Sequence, residues 1–192
     1  SHVVITSVTR DDLPNGGAEV FAGTIFSVRK RVNKVVIEVL IPDFKLNKWA
    51  IKAVADAKPE IIGHNVETVP RLYDKVRRDS NYIRSLKVLE LARKFGRHVY
   101  TKSGIMLGLG EKEKEVLGVF SDLREVNCDF LSIGQYLAPS LEHFPVEEYI
   151  HPEKFLYYKQ KALQLGFLYV VSGPYVRSSY LASEYMDKKR WT

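Results

Sequence analysis

The stretch Ile61-Ile62-Gly63-His64-Asn65-Val66-Glu67-Thr68-Val69-Pro70-Arg71-Leu72-Tyr73 decides how the rest of the chain is read. It leaves a short apolar run and at once turns polar, with an amide, a carboxylate, a hydroxyl and a guanidinium in close succession. A water-facing turn rarely needs that mix at such density, whereas a site that holds a polar small molecule does. The same switch recurs after other apolar runs, at residues 2–8, 35–41, 98–106, 130–133 and 167–171, with 60–64 ending in the stretch itself. These runs are rich in Val and Ile rather than strictly alternating, which is the pattern of parallel strands buried on both faces.

Amphipathic helices fill the gaps. Phe21, Ile25, Val28 and Val32 recur at helical spacing, as do Tyr82, Leu86 and Leu89, with Gly96 as a stop. Val116, Phe120, Leu123 and Val126 make a third stripe behind Glu111, Glu113 and Glu115, acids that suit the positive end of a helix dipole. Pro152 opens a last helix and Gly166 closes it, and residues 48–57 read as a shorter one. No fixed-period repeat, low-complexity segment or interdomain linker interrupts the order. Such units wind right-handed into a barrel or an open sheet, and both place function at the carboxyl ends of the strands. The expected fold is α/β with parallel strands: an incomplete barrel, or one that has lost a strand.

Composition narrows the class. The 192 residues are 45% hydrophobic and 27% charged, enough for one sizeable core. No apolar run approaches the roughly 18 residues of a membrane span. The net charge of +6 points to an acidic partner. The single Cys128 excludes an internal disulfide, fits a reducing compartment and reads as an inert packed thiol. Because residues 2–8 already read as a buried strand, the chain is expected to be a truncated form of something longer.

The strand ends carry the chemistry. Residues 9–17 follow the first strand, Pro42-Asp43-Phe44 the second and Asn65–Thr68 the third. The fourth is followed by the glycine-rich residues 104–111, the fifth by 134–140, and the sixth by Ser172-Gly173-Pro174-Tyr175-Val176-Arg177-Ser178-Ser179-Tyr180. Glycines at 104, 108 and 110 let backbone approach a ligand. Without Gly-Lys-Ser/Thr there is no phosphate-binding P-loop. Glu111 reads either as a ribose or adenine partner or as a helix cap. Lys102 stands where a barrel aldolase carries a Schiff-base lysine, but a lysine paired with Glu67 or Asp43 is the preferred reading. The five histidines lack metal-ligand spacing, and His64 reads as a packed strand-end residue. Arg71, Lys75, Arg77, Arg78 and Arg84 form a basic cluster that suits a phosphate backbone, an acidic protein or water. No nucleic-acid module accompanies it, so nucleic acid is not the expected partner. Lys188-Lys189-Arg190 reads as a solvated tail.

Taken together, the motifs at 4–13, 38–44, 64–73, 101–111, 133–137 and 173–180 resemble the lipoyl synthase family, in its order and across almost the whole chain. The resemblance implies a radical S-adenosylmethionine enzyme on a partial (β/α)6 TIM-type barrel, with residues 1–171 as the barrel and 172–192 as a carboxy-terminal segment. It implies sulfur insertion into an octanoyl chain on a lysine of lipoyl domains of 2-oxoacid dehydrogenases or of glycine-cleavage H protein. It also implies two 4Fe–4S clusters, one cleaving S-adenosylmethionine and one consumed as sulfur source, and a reductant such as ferredoxin or flavodoxin. By that resemblance Asn65, Glu67, Met106, Gly108, Gln135 and Tyr136 face the cofactor, Arg177, Ser178 and Ser179 serve catalysis, and either Ser178 or Ser179 ligates the auxiliary cluster. The family's two cysteine motifs are amino-terminal to this region, so an amino-terminal strand and the cluster loops are expected to be missing, and the chain alone is expected to be inactive. Leu181 and Ala138 also depart from the family pattern. A monomer in the cytoplasm, or in a mitochondrial matrix or plastid, is expected. The rival readings are a non-catalytic lipoyl-domain or nucleoside-binding module of the same descent, and the Lys102 aldolase.

Overall fold

Parallel pairing of neighbours in sequence governs the architecture. A computed structural model describes residues 1–187; the basic run Lys188-Lys189-Arg190 lies outside the described residues. The elements are β1 (His2–Thr6), α1 (Ala18–Arg31), β2 (Val36–Leu40), α2 (Lys48–Asp56), β3 (Ile61–Gly63), α3 (Tyr73–Val76), α4 (Tyr82–Phe95), β4 (Tyr100–Leu107), α5 (Glu113–Glu125), β5 (Phe130–Gln135), α6 (Pro152–Gln164) and β6 (Tyr169–Ser172). The six strands form one sheet in the order β1-β2-β3-β4-β5-β6, every pair parallel. β1 and β6 are both edges, so the sheet is a partial barrel, as the strand pattern predicts.

The strand ends follow from pairing. β1 stops at Thr6 because its last partner, Leu40, is the last residue of β2, and Val8 is left 76% exposed. β5 runs past the expected residue 133 to Gln135, which pairs with Leu107. α2 and α4 begin on side-chain caps: Asn47 Oδ1 accepts from the amides of Trp49 and Ala50 at 3.0 and 3.3 Å, and Asn81 Oδ1 accepts from Arg84 at 2.9 Å. α5 starts at Glu113, two residues into its acidic run, so Glu113 and Glu115 lie in the first turn, and Glu115 reaches back to the amide of Lys112 at 2.7 Å. Glu111 therefore stands ahead of the helix. The short α3 and the 3-10 turn Pro70–Leu72 before it escape periodicity because neither is long enough to show a stripe.

Alternation divides the core in two. Ile105 and Leu107 of β4 and Leu131 and Ile133 of β5 face outward, against Val116, Phe120 and Leu123 of α5 and Phe155 and Tyr158 of α6. Ile37, Val39 and Ile62 pack in the same way on Phe21, Ile25, Ile51, Val54 and Val88. Each such fully buried side chain stabilises the fold by about 1.5–3 kcal/mol. The opposite face lines the barrel interior, where Ile61, Phe130, Val171, Val176 and Tyr185 cluster. Two of these lie beyond the last strand. After Ser172 the chain turns back over the sheet, and the 3-10 turn Ala182–Met186 packs against β1, spanning the gap between the two edges. The Tyr185 ring stacks edge-on to Phe130 and Tyr169, each at 5.3 Å.

Gly134 makes this return possible. A Cβ there would stand 2.4 Å from the Val176 carbonyl oxygen, closer than real contacts allow. Gly134→Ala should therefore cost about 1–3 kcal/mol of stability by overpacking. Urea unfolding checks this, and an unchanged midpoint would mean that the segment does not sit on β5.

Candidate functional site

The carboxyl ends of all six strands open on one side, into two adjoining clefts. The larger, about 770 Å³, lies over the ends of β1–β3, with Thr6, Asp43, His64 and Arg84 among its walls. The smaller, about 260 Å³, lies over β3–β6 and is walled by Met106, Ser132, Gln135, Val176, Arg177 and Ser178. Asn65 and Glu67 line both. The volume of the larger cleft falls in the range of about 300–1,000 Å³ usual for small-molecule sites.

Glu67 sits at the junction for a backbone reason. Its φ of 65° is left-handed, which a non-glycine residue adopts only when its surroundings impose it. Here the imposition comes from β4: the Glu67 amide donates to Gly104 at 2.9 Å and its carbonyl accepts from Met106 at 2.8 Å. The kink turns the carboxylate into the clefts, where Asn65 Nδ2 donates to Oε1 at 3.1 Å. Burial pushes its pKa up, against the lowering effect of Asn65 and Arg77. Gly104 adds to the cradle, since a Cβ there would meet Ser132 Oγ at 2.8 Å and Asn65 Oδ1 at 2.9 Å.

His64 is packed, as expected, yet it is not inert. It is 3% exposed and its Nδ1 lies 2.9 Å from the Ile41 carbonyl. A carbonyl only accepts, so Nδ1 carries the proton. Burial pushes the ring pKa down to about 4, so the ring is neutral and Nε2 is a buried acceptor without a hydrogen-bond partner. Three of the five residues of the basic cluster are taken up in structural contacts. Arg71 binds Glu115 at 2.7 Å, Arg84 binds Asp43 at 2.7 Å, and Arg77 donates to the Asn65 carbonyl at 3.1 Å. No continuous phosphate-binding face remains among these three.

The structure thus brings Asn65, Glu67, Met106, Gln135, Arg177 and Ser178 together, and sets Gly108, Tyr136 and Ser179 apart. The Gln135 amide is occupied in anchoring the loop before α6: Nε2 donates to the carbonyls of Tyr136 and Glu148, and Oε1 accepts from Ile150, all at 3.0 Å. Tyr136 donates to Phe144 at 2.7 Å and holds the same loop. Gly108, at φ 96°, has no Cβ because the Gln135 amide and the Glu148 carbonyl occupy that space. Glu111 takes neither of its expected roles. Its two oxygens accept from the amides of Gly108 and Leu109 at 2.7 and 2.9 Å, closing the glycine loop. Ser179 is exposed outside both clefts.

Lys102 corrects two expectations. Its partner is neither Glu67 nor Asp43 but Glu38 of β2, at 2.8 Å, two strands away across the barrel interior. It is 1% exposed and lies 3.8 Å from the Tyr185 ring. A Schiff-base lysine must be reached by its carbonyl substrate, so the aldolase reading fails on access. Sequence reading passed over Glu38 and Ser132. The available signal was a polar residue at an inward position of an otherwise apolar parallel strand. Cys128 is the packed thiol expected: burial pushes its pKa up to about 12, and Sγ lies 3.4 Å from the Phe130 carbonyl. Among the described residues no three His, Cys, Asp or Glu side chains form a metal-binding group. No helix among them is long and apolar enough to cross a membrane.

Comparison with known proteins adds identity to this geometry. Residues 1–123 match the family model described as the Radical SAM superfamily. The lipoyl synthase of Caldicellulosiruptor saccharolyticus is 55% identical over 96% of this chain and 65% of its own length. That of Geobacter metallireducens is 57% identical over 96% of this chain and 65% of its own. That of Alkaliphilus metalliredigens is 51% identical over 97% and 64%. The chain thus spans slightly less than two thirds of these relatives. A solved structure, the radical S-adenosylmethionine methyltransferase TsrM from Kitasatospora setae with cobalamin and a 4Fe–4S cluster bound, shares the fold at TM-score 0.51 and 11% identity, over 69% of this chain and 27% of that one.

Two pH predictions follow from the buried groups. Glu67 binds its proton more tightly folded than unfolded, so its contribution is most favourable below about 4.5, its ordinary value, and is lost as pH rises through the elevated folded value. Glu67→Gln should therefore raise the urea midpoint relative to the parent at pH 7.5, with a smaller difference at pH 4. His64 has the opposite sign: its folded pKa is depressed, so stability falls as pH drops from about 6.5 towards 4. Its ring signals in NMR should stay constant between pH 5.5 and 8, whereas a midpoint near 6.5 would show an unburied ring.

Proposed function

This chain belongs to the Radical SAM superfamily, and we propose that it is the cofactor- and substrate-facing part of a lipoyl synthase. Its reaction is sulfur insertion into an octanoyl chain borne on a lysine of a lipoyl domain or H protein. The observation that carries the reading is the junction at Asn65 and Glu67. There a cleft large enough for a nucleoside cofactor meets a smaller one edged by Arg177 and Ser178.

The larger cleft fits S-adenosylmethionine by size and by its donors and acceptors. Glu67 can accept from ribose hydroxyls or an ammonium, and Asn65 can both donate and accept. Bound there, the cofactor would supply hydrogen abstraction from unactivated carbon. The protein's own contribution is to hold and orient it, and Gly104 and the Met106 strand end keep the approach to the second cleft open. The residues present do not fit an iron–sulfur cluster. Clusters need thiolates, and Cys128 is buried, protonated and bonded to backbone. We assign the cysteine ligands of both clusters to parts of the complete protein outside this chain, and the serine ligand of the auxiliary cluster to Ser178 or Ser179. Ser178 is the better placed of the two because it lines the second cleft. The +6 charge suits an acidic carrier domain and an acidic ferredoxin or flavodoxin. The bacterial relatives suit a cytoplasmic setting.

The test uses the complete protein, reconstituted without oxygen and given S-adenosylmethionine, a reductant and an octanoylated lipoyl domain. Mass spectrometry should find the lipoyl product, and Arg177→Ala and Ser178→Ala should lower its yield at least tenfold. Equilibrium dialysis of S-adenosylmethionine gives an activity-free readout. Glu67→Ala should weaken binding roughly 10–100-fold, the loss of about 1.5–3 kcal/mol from a hydrogen bond to a charged group. Absence of product together with undiminished binding in Glu67→Ala would refute the reading.

A further inference from the structure

We propose that Lys102 is a positioning residue. Held by Glu38, its ammonium fixes the Ser178 carbonyl and so sets where Ser178 and Ser179 stand at the mouth of the second cleft. The significance of those serines rests on the function proposed above, but the positioning itself rests on geometry alone.

Lys102 Nζ donates to Glu38 Oε1 at 2.8 Å and to the Ser178 carbonyl at 2.6 Å, with the Tyr185 ring 3.8 Å away. Glu38 is as buried as Lys102, each 1% exposed, and His2 approaches its second oxygen at 3.5 Å. A buried ion pair is a poor way to gain stability, because desolvation offsets the attraction and an apolar pair of similar volume does as well or better. What an apolar pair cannot do is satisfy a third group. Ser178 lies beyond β6, outside the sheet's ladder. An ammonium has three donors, and after the carboxylate takes one, another is available for that carbonyl.

The other contacts of the segment leave this role open. Val176 occupies the space above Gly134, Arg177 donates to the Val176 carbonyl at 2.7 Å and closes a turn with the Tyr180 amide at 2.9 Å, and its approach to the Gln135 carbonyl on the sheet is long, 3.5 Å. Tyr185 anchors the far end, seven residues on, in the barrel interior. Between those anchors, the link from Lys102 to the Ser178 carbonyl ties the serine turn to β4. The carboxylate in turn prevents the long lysine side chain from exploring other rotamers. The positions of the serines are therefore referred to β2 and β4, the strands on either side of β3, whose following loop carries Glu67.

The test is hydrogen exchange on the complete protein carrying Lys102→Met with Glu38→Met, which removes both charges together and leaves no unpaired ion. Amides of residues 177–184 should exchange at least tenfold faster, while those of β4 and β5 keep their protection. Unchanged protection at 177–184 would overturn the proposal, and so would an equal rise throughout the sheet, since that is what a purely structural pair produces. If the double variant does not fold, the unsubstituted protein decides: with 15N-lysine and 13C-carbonyl serine labels, the Lys102 ammonium should correlate through the hydrogen bond with Ser178. A correlation to Glu38 alone would refute it. In the reconstituted protein the double variant should still cleave S-adenosylmethionine while lipoyl formation falls at least tenfold. Full lipoyl formation by both Ser178→Ala and Ser179→Ala would remove the proposed role of the serines but not the exchange result.

Discussion

A parallel strand can only be followed by another parallel strand if the chain returns to the starting edge, and that constraint underlies everything the molecule presents. Five sequential parallel pairings send all six carboxyl ends to one side. The returning helices cover the outer face, so the inner face and the strand ends are where polar groups can gather. The two adjoining clefts are the consequence, and residues distant in sequence meet there: His64 and Asp43 in one, Met106 and Arg177 in the other, with Glu67 common to both.

The barrel stays open between β1 and β6, and the segment after β6 lies across that opening. An open parallel sheet leaves unpaired backbone at both edges. The 3-10 turn Ala182–Met186 covers the β1 side, and Tyr185 fills the interior between β4, β5 and β6. The same excursion carries Val176, Arg177 and Ser178 over the second cleft. Packing and function are thus coupled in one stretch of chain: the ring that completes the core lies seven residues after the serine at the cleft. The Glu38–Lys102 pair lies beneath both, a polar element in an interior otherwise built from Ile61, Phe130 and Val171.

Electrostatics divides the polar groups into those that hold the fold and those left for chemistry. Arg71, Arg84 and Glu111 are taken up by ion pairs and backbone contacts. Gln135 and Tyr136 secure the loop before α6. The groups facing the clefts include the Glu67 carboxylate and the Asn65 amide, with Arg77 and the Asp43–Arg84 pair on the larger cleft and Arg177 and Ser178 at the far rim. In the function proposed above, that set holds a nucleoside cofactor beside an acyl chain. It offers no thiolate, so any iron–sulfur chemistry depends on ligands outside this chain.

Much was legible in the residues themselves. Apolar Val- and Ile-rich runs located all six strands to within two or three residues, because burial on both faces leaves a continuous signal that tertiary contacts only trim. The stripes at 21–32, 82–89 and 116–126 located their helices, and the polar turns after each strand marked the working face. The family resemblance also stood on contiguous motifs. Three things needed the tertiary structure. The partner of Lys102 lies two strands away, and no spacing rule links residue 38 to residue 102. The division of strand-end residues between ligand clefts and loop anchoring depends on which hydrogen bonds are already made, as at Gln135 and Gly108. The return of Tyr185 into the barrel depends on a missing Cβ at Gly134. Local sequence determines periodicity, turn chemistry and strand ends because these act within a few residues. Pairing across the interior is decided by register and curvature, which exist only once the sheet has formed.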